Sequence, residues 1–503
     1  MKFRPPRVSF LVAVLLLAAA IPVIESKKVF NPTSFVPQNS SSKVISTKLE
    51  RSSLSDVSSQ IKTVRGGAID SNLVNCLAGS VVCGVIEQAV KKGLMKANIS
   101  FPSSLGGCIF LFFFLVVADS ISPSAANTMY EALAPAAAFL AKWMAPLFVP
   151  GLVMLPLSPS VGGGMEILKV IATVAIGFVF TITTSAFSVL TIRKAQGTLI
   201  TTSSGPSKAV ASGLKPKPFN QASWSFFSKG ALLSAVATVW ASKTNNSFAS
   251  PIQTLFLSLF TVASYIWSAN LPAGFVKIVH PLATSATLVL TVIRAVAAIT
   301  GKEFFDVLRS YKVGSLDPMK AGAGDILMFL LGAPVVGFAI SVYSRRQLLF
   351  NNLVVVLTSV LVGSAGSLFA TAGFVRLISL GSGAAARLVR LSLLARNVTT
   401  ALAIALTNML GGDISIAASV VCLTGILGGT YGQAFMDALG IKDPICRGIG
   451  MGCSSQGLGV AAISGEPDAF PFAAIAMVLT AITATTLASI PAVKEALIQT
   501  ACG

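Results

Sequence analysis

Two short stretches of this chain gather side chains able to grip a small anion. The first is Arg396-Asn397-Val398-Thr399-Thr400, set between two apolar runs and preceded by Arg387 and Arg390. A charge at bilayer depth costs about 2.5–3.5 kcal/mol even on the lenient insertion scale, so it needs a partner or a function. A guanidinium is a planar fork that fits a carboxylate with two parallel hydrogen bonds. With the hydroxyls of Thr399 and Thr400 and the amide of Asn397, Arg396 could hold both ends of a small hydroxy acid. Arg387 and Arg390 read instead as interfacial arginines reaching toward headgroups from a helix end.

The second stretch runs from Cys446 to Gly459, C-R-G-I-G-M-G-C-S-S-Q-G-L-G, with five glycines between two apolar segments. Glycine weakens a helix interior by up to ~1 kcal/mol relative to alanine. Irregular backbone at membrane depth survives only where protein or a watery cavity satisfies its N–H and C=O groups. Two readings stay open: a broken or re-entrant segment lining a solute site, or a glycine-rich contact between packed helices. In the first, a half-helix starting near Ser454 or Gln456 turns free N–H groups and a positive dipole end toward an anion. Arg447, beside Asp443, reads as an anchor or surface ion pair.

Other polar residues read as structural. Asp325 caps a helix start, and Asp119, Asp413 and Glu87 sit near the ends of apolar segments. His280-Pro281 suits a hydrogen bond at a helix break better than proton coupling, although its side chain titrates nearest neutrality. Gly425-x-x-x-Gly429 and Gly428-x-x-x-Gly432 allow close helix approach. No nucleotide-binding loop, zincin motif or nucleophile elbow occurs in the context it requires. With a single histidine, and seven cysteines free of any C-x-x-C, neither a metal site nor a disulfide frame is expected. No catalytic residue and no cofactor are expected.

The elements that must position these residues are membrane helices. Of 503 residues, 54% are hydrophobic and 11% charged, against about 25% charged in soluble domains. Apolar runs near 73–90, 104–120, 132–151 and 165–192 form a first group. Runs near 224–242, 252–270, 278–300, 324–343, 350–379, 384–410, 413–438 and 470–497 form a second. The expectation is an all-α polytopic transporter of about 12 membrane segments, some broken or re-entrant. Trp143, Pro146, Pro150 and Pro156 should break the third run. The net charge of +19 is scattered over the N-terminal tail, one linker and the helix ends. That pattern fits orientation at a lipid surface and no nucleic acid partner. Residues 1–26 read as a signal peptide and 27–70 as a disordered, transit-like segment. A basic linker spans 194–223, and the balanced-charge loop Gly301–Lys320 reads as a surface connection. Lys91, Lys92 and Lys96 and the linker fall on opposite sides if every run between them crosses, which conflicts with the positive-inside rule. A re-entrant third run would remove the conflict.

Over roughly 72–500 the chain resembles a known family. F-P-S-S-L-G-G (101–107) and W-M-A-P-L-F-V-P-G-L-V (143–153) make 72–193 look like an LrgA-like domain. L-P-A-G-F-V-K-I-V-H-P (271–281), G-A-G-D-I-L-M (322–328), A-R-N-V-T-T (395–400), T-G-I-L-G-G (424–429) and D-P-I-C-R-G-I-G-M-G-C-S-S-Q-G-L-G (443–459) make 224–500 look LrgB-like. Such a fusion behind a plastid address is similar to the plastidal glycolate/glycerate translocators of photosynthetic eukaryotes. The resemblance implies exchange of glycolate and glycerate across the plastid (chloroplast) inner envelope in photorespiration. It marks Arg396, Asn397, Thr399, Ser454, Ser455, Gly457 and Gly459 as binding candidates; Thr400 and Gln456 join them by chemistry. The family pattern has histidine where Gln456 stands and threonine where Val460 stands. Glutamine keeps a hydrogen-bonding side chain but takes up no proton near neutral pH.

Two functions of different class follow. One is a secondary carrier of small 2-hydroxycarboxylates, or a related carrier of a different small anion, with a homo-oligomer as a further possibility. The other is a holin-like pore or regulator of a wall-acting enzyme, which would conduct without saturation and would not need a cation at position 396.

Overall fold

The computed structural model describes residues 71–99, 101–158, 162–199, 219–244, 246–381 and 383–503. The targeting segments expected over 1–26 and 27–70 lie outside the described residues, as does the linker between 200 and 218.

Every regular element among the described residues is helical. The longer ones are α1 (Ser71–Lys96), α2 (Ser103–Ile121), α3 (Pro123–Trp143), α4 (Gly164–Ala195), α5 (Gln221–Lys243), α6 (Ala249–Ala269) and α7 (Pro281–Thr300). They continue with α8 (Phe304–Tyr311), α9 (Ala323–Phe329), α10 (Gly332–Tyr343), α11 (Leu353–Leu377), α12 (Ala386–Leu393) and α13 (Thr400–Leu410). The last four are α14 (Ile414–Ala438), α15 (Pro444–Ala462), α16 (Phe470–Ser489) and α17 (Pro491–Cys502).

Eight of these helices, counting α9 and α10 as one span, are long and apolar enough to cross a membrane; a ninth joins them if the bent pair Pro123–Trp143 and Ala145–Leu157 is one span. The protein is thus an all-α polytopic membrane protein, with eight or nine apolar spans among the described residues. That is fewer than the runs read from the sequence. The runs at 73–90 and 224–242 are helical, as α1 and α5, but neither is among the helices counted as spans. The run at 384–410 divides into the short helices α12 and α13. The third run bends by 46° after Trp143, where Pro146 and Pro150 remove backbone donors.

Two apolar cores result. One joins α1–α4 to α10–α17, and the other packs the 145–153 segment against α5–α9. The loop at 301–320 is not merely a surface connection. It folds in part as α8, whose Val307, Leu308 and Tyr311 are buried, with the Tyr311 hydroxyl 3.0 Å from Thr261 Oγ1.

Polar contacts fix the two ends of the larger core. At one end Gly381 N donates to Glu166 Oε2 (2.6 Å) and Lys169 Nζ donates to the Ser379 carbonyl (3.3 Å), joining the start of α4 to the chain leaving α11. At the other, Arg193 near the end of α4 donates to Asp443 Oδ2 (3.1 Å), and Asp443 also caps α15 through the N–H groups of Ile445 and Cys446. Arg193 and Asp443 are both buried, so the pair stands on mutual compensation.

Candidate functional site

Arg396 lies in the turn between α12 and α13, a full guanidinium with 0% exposure. No carboxylate reaches it within ion-pair distance among the described residues. Nε donates to Thr371 Oγ1 (2.9 Å), and Nη2 donates to Thr181 Oγ1 (2.7 Å) and Ser367 Oγ (2.9 Å). Nη1 has no partner. The two-pronged grip expected of the fork is therefore not available as it stands, because the Nε–Nη2 edge already serves three hydroxyls.

The second stretch folds as α15, interrupted at Gln456, whose φ of 53° and ψ of −148° leave the helix. Few side-chain-bearing residues take that backbone, and it costs of order 1–3 kcal/mol unless the surroundings impose it. What imposes it here is a pair of hydrogen bonds between the two stretches. Gln456 Nε2 donates to the Arg396 carbonyl oxygen (2.7 Å), and Asn397 Nδ2 donates to the Cys453 carbonyl oxygen (3.1 Å). Each break thus supplies a carbonyl that the other's side-chain amide satisfies.

The two readings of the glycine stretch divide along its length. Gly448 and Gly452, four residues apart, face the backbone of α16: a Cβ would stand 2.3 Å from the Ala469 oxygen and 2.4 Å from the Ala473 oxygen. These are packing glycines. Beyond them the backbone breaks, and Gly457 has open space where its side chain would be. Gly459 sits over Ser455, as does Gly428 of α14, so the G-x-x-x-G glycines seat this bend as well as packing the helices.

The remaining candidates fall into place around these contacts. Ser454 donates to the Gly450 carbonyl (2.8 Å), and its hydroxyl lies 2.8 Å from that of Ser455; neither is bonded to the guanidinium. The Oδ1 of Asn397 and the hydroxyl of Thr399 are buried without a partner. Thr399 precedes α13, and Thr400, its first residue, is half-buried. Val460 is buried in the second half of α15.

Residues given structural roles hold them, often with other partners than expected. Arg447 pairs with Glu466 (2.7 and 2.6 Å) and Asp437 (2.6 Å), leaving Asp443 to Arg193. Arg390 donates to the carbonyls of Leu380 (2.6 Å) and Ala501 (3.3 Å), and Arg387 is exposed. Asp325, inside the first turn of α9, accepts from Val313 N, Gly314 N and Gly322 N. Asp413 caps α14, Asp119 holds Arg346 with two bonds, and Glu87 accepts from Ser103. His280 caps α7, its Nδ1 accepting from Leu282 N (3.3 Å), and burial pushes its pKa down to about 4. A neutral ring is what that acceptor role requires. Among the described residues no group of His, Cys, Asp and Glu could hold a metal ion.

Four residues that touch Arg396 escaped sequence reading: Gly177, Thr181, Ser367 and Thr371. The sequence carries only their spacing. Gly177/Thr181 and Ser367/Thr371 are each four apart in an apolar run, which stacks each pair on one helix face.

The profile of the LrgB-like family matches residues 261–493. The plastidal glycolate/glycerate translocator 1 of Arabidopsis thaliana is 34% identical over 432 residues, covering 83% of this chain and 80% of the relative. No solved structure matches the chain. On these grounds the chain belongs to the LrgB-like family, as a membrane protein related over most of its length to a plastidal glycolate/glycerate translocator.

Proposed function

We propose that the protein is a secondary carrier exchanging small 2-hydroxycarboxylates, glycolate and glycerate first, across the plastid inner envelope. The observation that carries this reading is the uncompensated guanidinium of Arg396 with Nη1 unpartnered. A buried cation with hydroxyls for neighbours is an unfinished ion pair, and a small carboxylate finishes it. The idle acceptor Asn397 Oδ1 and the idle hydroxyl of Thr399 suit the substrate's own hydroxyl. The relative's name supplies the solutes, and glutamine at position 456 makes exchange without a proton on that side chain the natural mode.

The site in this reading lies where two re-entrant hairpins meet. If 444–466 were one straight helix, Arg447 and Glu466 would stand about 28 Å apart, yet they are hydrogen-bonded across a separation of 19 residues. Likewise Asp413 N donates to Ser392 Oγ (2.7 Å) across 21 residues. The mouth of one hairpin lies at the start of α14 and that of the other at its end, beside Asp437. Leu458 and Ser455 touch Gly425, Gly428 and Gly429 midway along α14, which supports tips meeting at mid-depth. Discontinuous helices of this kind serve alternating access in many carriers. We take 72–193 as an LrgA-like unit and 224–500 as the LrgB-like unit, with α4 reaching from the first into the second.

Counter-exchange of labelled glycolate or glycerate in proteoliposomes tests the proposal. Saturable exchange that Arg396→Ala abolishes is expected. Flux no greater than in empty vesicles, or flux indifferent to Arg396→Ala, rejects it; unsaturable conductance would point to the pore. A fluorescent fusion of residues 1–70 checks the compartment.

A further inference from the structure

An arginine has five N–H hydrogens, and those of Arg396 are divided unequally. Nε donates to Thr371, and Nη2 donates to both Thr181 and Ser367, so three are in use. The two on Nη1 are not. Two helices make this division. Ser367 and Thr371 lie one turn apart on α11, and Gly177 and Thr181 one turn apart on α4. Thr181 gives its own hydroxyl hydrogen to the Gly177 carbonyl (2.9 Å), which leaves a lone pair for Nη2. Gly177 leaves the guanidinium room: a Cβ there would lie 2.3 Å from Nε and 2.4 Å from Cζ. Every acceptor in the cage is neutral. An aspartate or glutamate in any of these places would hold the guanidinium equally well and cancel its pull on an anion.

We infer that Thr181, Ser367 and Thr371, with Gly177, are positioning residues for the transported anion: they orient the Arg396 guanidinium without neutralising it, so that Nη1 is the arm offered to the carboxylate. The inference rests on the carrier reading above and deepens it. It also makes α4 part of the binding site, although α4 lies before the basic linker and outside the matched family segment.

The test is glycolate counter-exchange in proteoliposomes with thermal melts of the same detergent-solubilised proteins. Thr181→Val and Thr371→Val are expected to raise KM about tenfold while kcat stays within about threefold. Thr181→Ser and Thr371→Ser, which keep the hydroxyl, should return KM to within about threefold of the parent value. Ser367→Asp should abolish exchange while holding or raising Tm, a combination that a merely structural role does not produce. Unmoved KM in the valine variants, serine variants as impaired as valine ones, or a Ser367→Asp protein that exchanges normally each overturn the inference. If the valine variants fail to fold, Ser367→Ala and Ser367→Asp decide it alone. A parent protein that exchanges glycolate while all variants match it sinks the cage only. A parent protein that neither exchanges nor is stabilised by any small carboxylate sinks the carrier reading, and the cage with it.

Discussion

Gln456 and Arg396 are joined through a main-chain oxygen: the Gln456 amide donates to the Arg396 carbonyl at 2.7 Å, while the Arg396 side chain is held from elsewhere, by α4 and α11. One residue therefore fixes the backbone of the turn and others fix its charge. The two functions can be separated by mutation.

Gln456→Ala leaves the buried Arg396 carbonyl without this donor, and the expected loss is about 1–3 kcal/mol. The check is a lowered Tm together with a raised KM for glycolate. Gln456→His keeps a donor and introduces a side chain that titrates near neutrality. The parent protein should show no titration from this position between pH 6 and 8, and Gln456→His should acquire one. A histidine variant with an unchanged pH profile would show that the amide is a strut and lies out of reach of any coupled proton.

His280 gives a stability prediction of definite sign. Burial lowers its pKa in the folded protein from the usual 6.5 to about 4, so the unfolded chain binds the proton more readily. Stability from this group is complete above pH 6.5, falls as the pH drops, and is lost by about pH 4, by at most about 3 kcal/mol. Protonation also removes the acceptor that Nδ1 offers to Leu282 N. Thermal melts from pH 7.5 to 4.5 should show the decline, and His280→Asn, which keeps a capping acceptor without titrating, should flatten that part of it.

Arg447 holds Glu466 with two bonds and Asp437 with one, and Gln433 adds a third bond to Glu466. Its side chain is 11% exposed and that of Glu466 23%, whereas Asp437 is 66% exposed, so Glu466 is the partner that matters. Arg447→Ala strands a half-buried carboxylate and should destabilise the protein by about 2–4 kcal/mol. Asp437→Asn should change stability by less than about 1 kcal/mol. Partial recovery of Tm in the swapped pair Arg447→Glu with Glu466→Arg would locate the effect in the pair. Equal effects of Arg447→Ala and Asp437→Asn would contradict the ranking by burial.

Much of this was legible in the sequence, and the gaps have physical reasons. Composition and apolar runs were enough for an all-helical membrane protein, because spanning a bilayer demands both. The count of spans was not, since a run such as 384–410 shows its apolar face whether it forms one long helix or divides into α12 and α13. Arg396 could be singled out because a charge in an apolar run is expensive. Its neighbours Thr181, Ser367 and Thr371 could not, because a lone hydroxyl in an apolar helix can always bond the carbonyl one turn back. Thr181 does so as well as meeting Arg396. The partners of Arg447 and Asp443 were misjudged for a related reason: adjacency in sequence suggested a pair, whereas the fold turns Glu466 back onto Arg447 and α4 brings Arg193 to Asp443 from far along the chain.

Gly428 and Gly373 separate the two uses of glycine in these helices. At Gly428 a Cβ would lie 2.0 Å from Ser455 Oγ and 2.1 Å from Ser455 Cβ, so α14 passes the bend with no room for a methyl group. At Gly373, on α11, nothing lies within 4 Å. Gly428→Ala is therefore expected to displace Ser455, to cost about 1–3 kcal/mol by overpacking, and to depress exchange. Gly373→Ala should be neutral or stabilising by up to about 1 kcal/mol through helix propensity. The second-site change Ser455→Gly removes the atoms that clash, so Gly428→Ala with Ser455→Gly should recover most of the lost Tm and show a strong coupling between the sites. Exchange should stay low in that double variant if the Ser455 hydroxyl contributes to binding. Recovery of both Tm and exchange would assign Ser455 to packing alone, and remove it from the site.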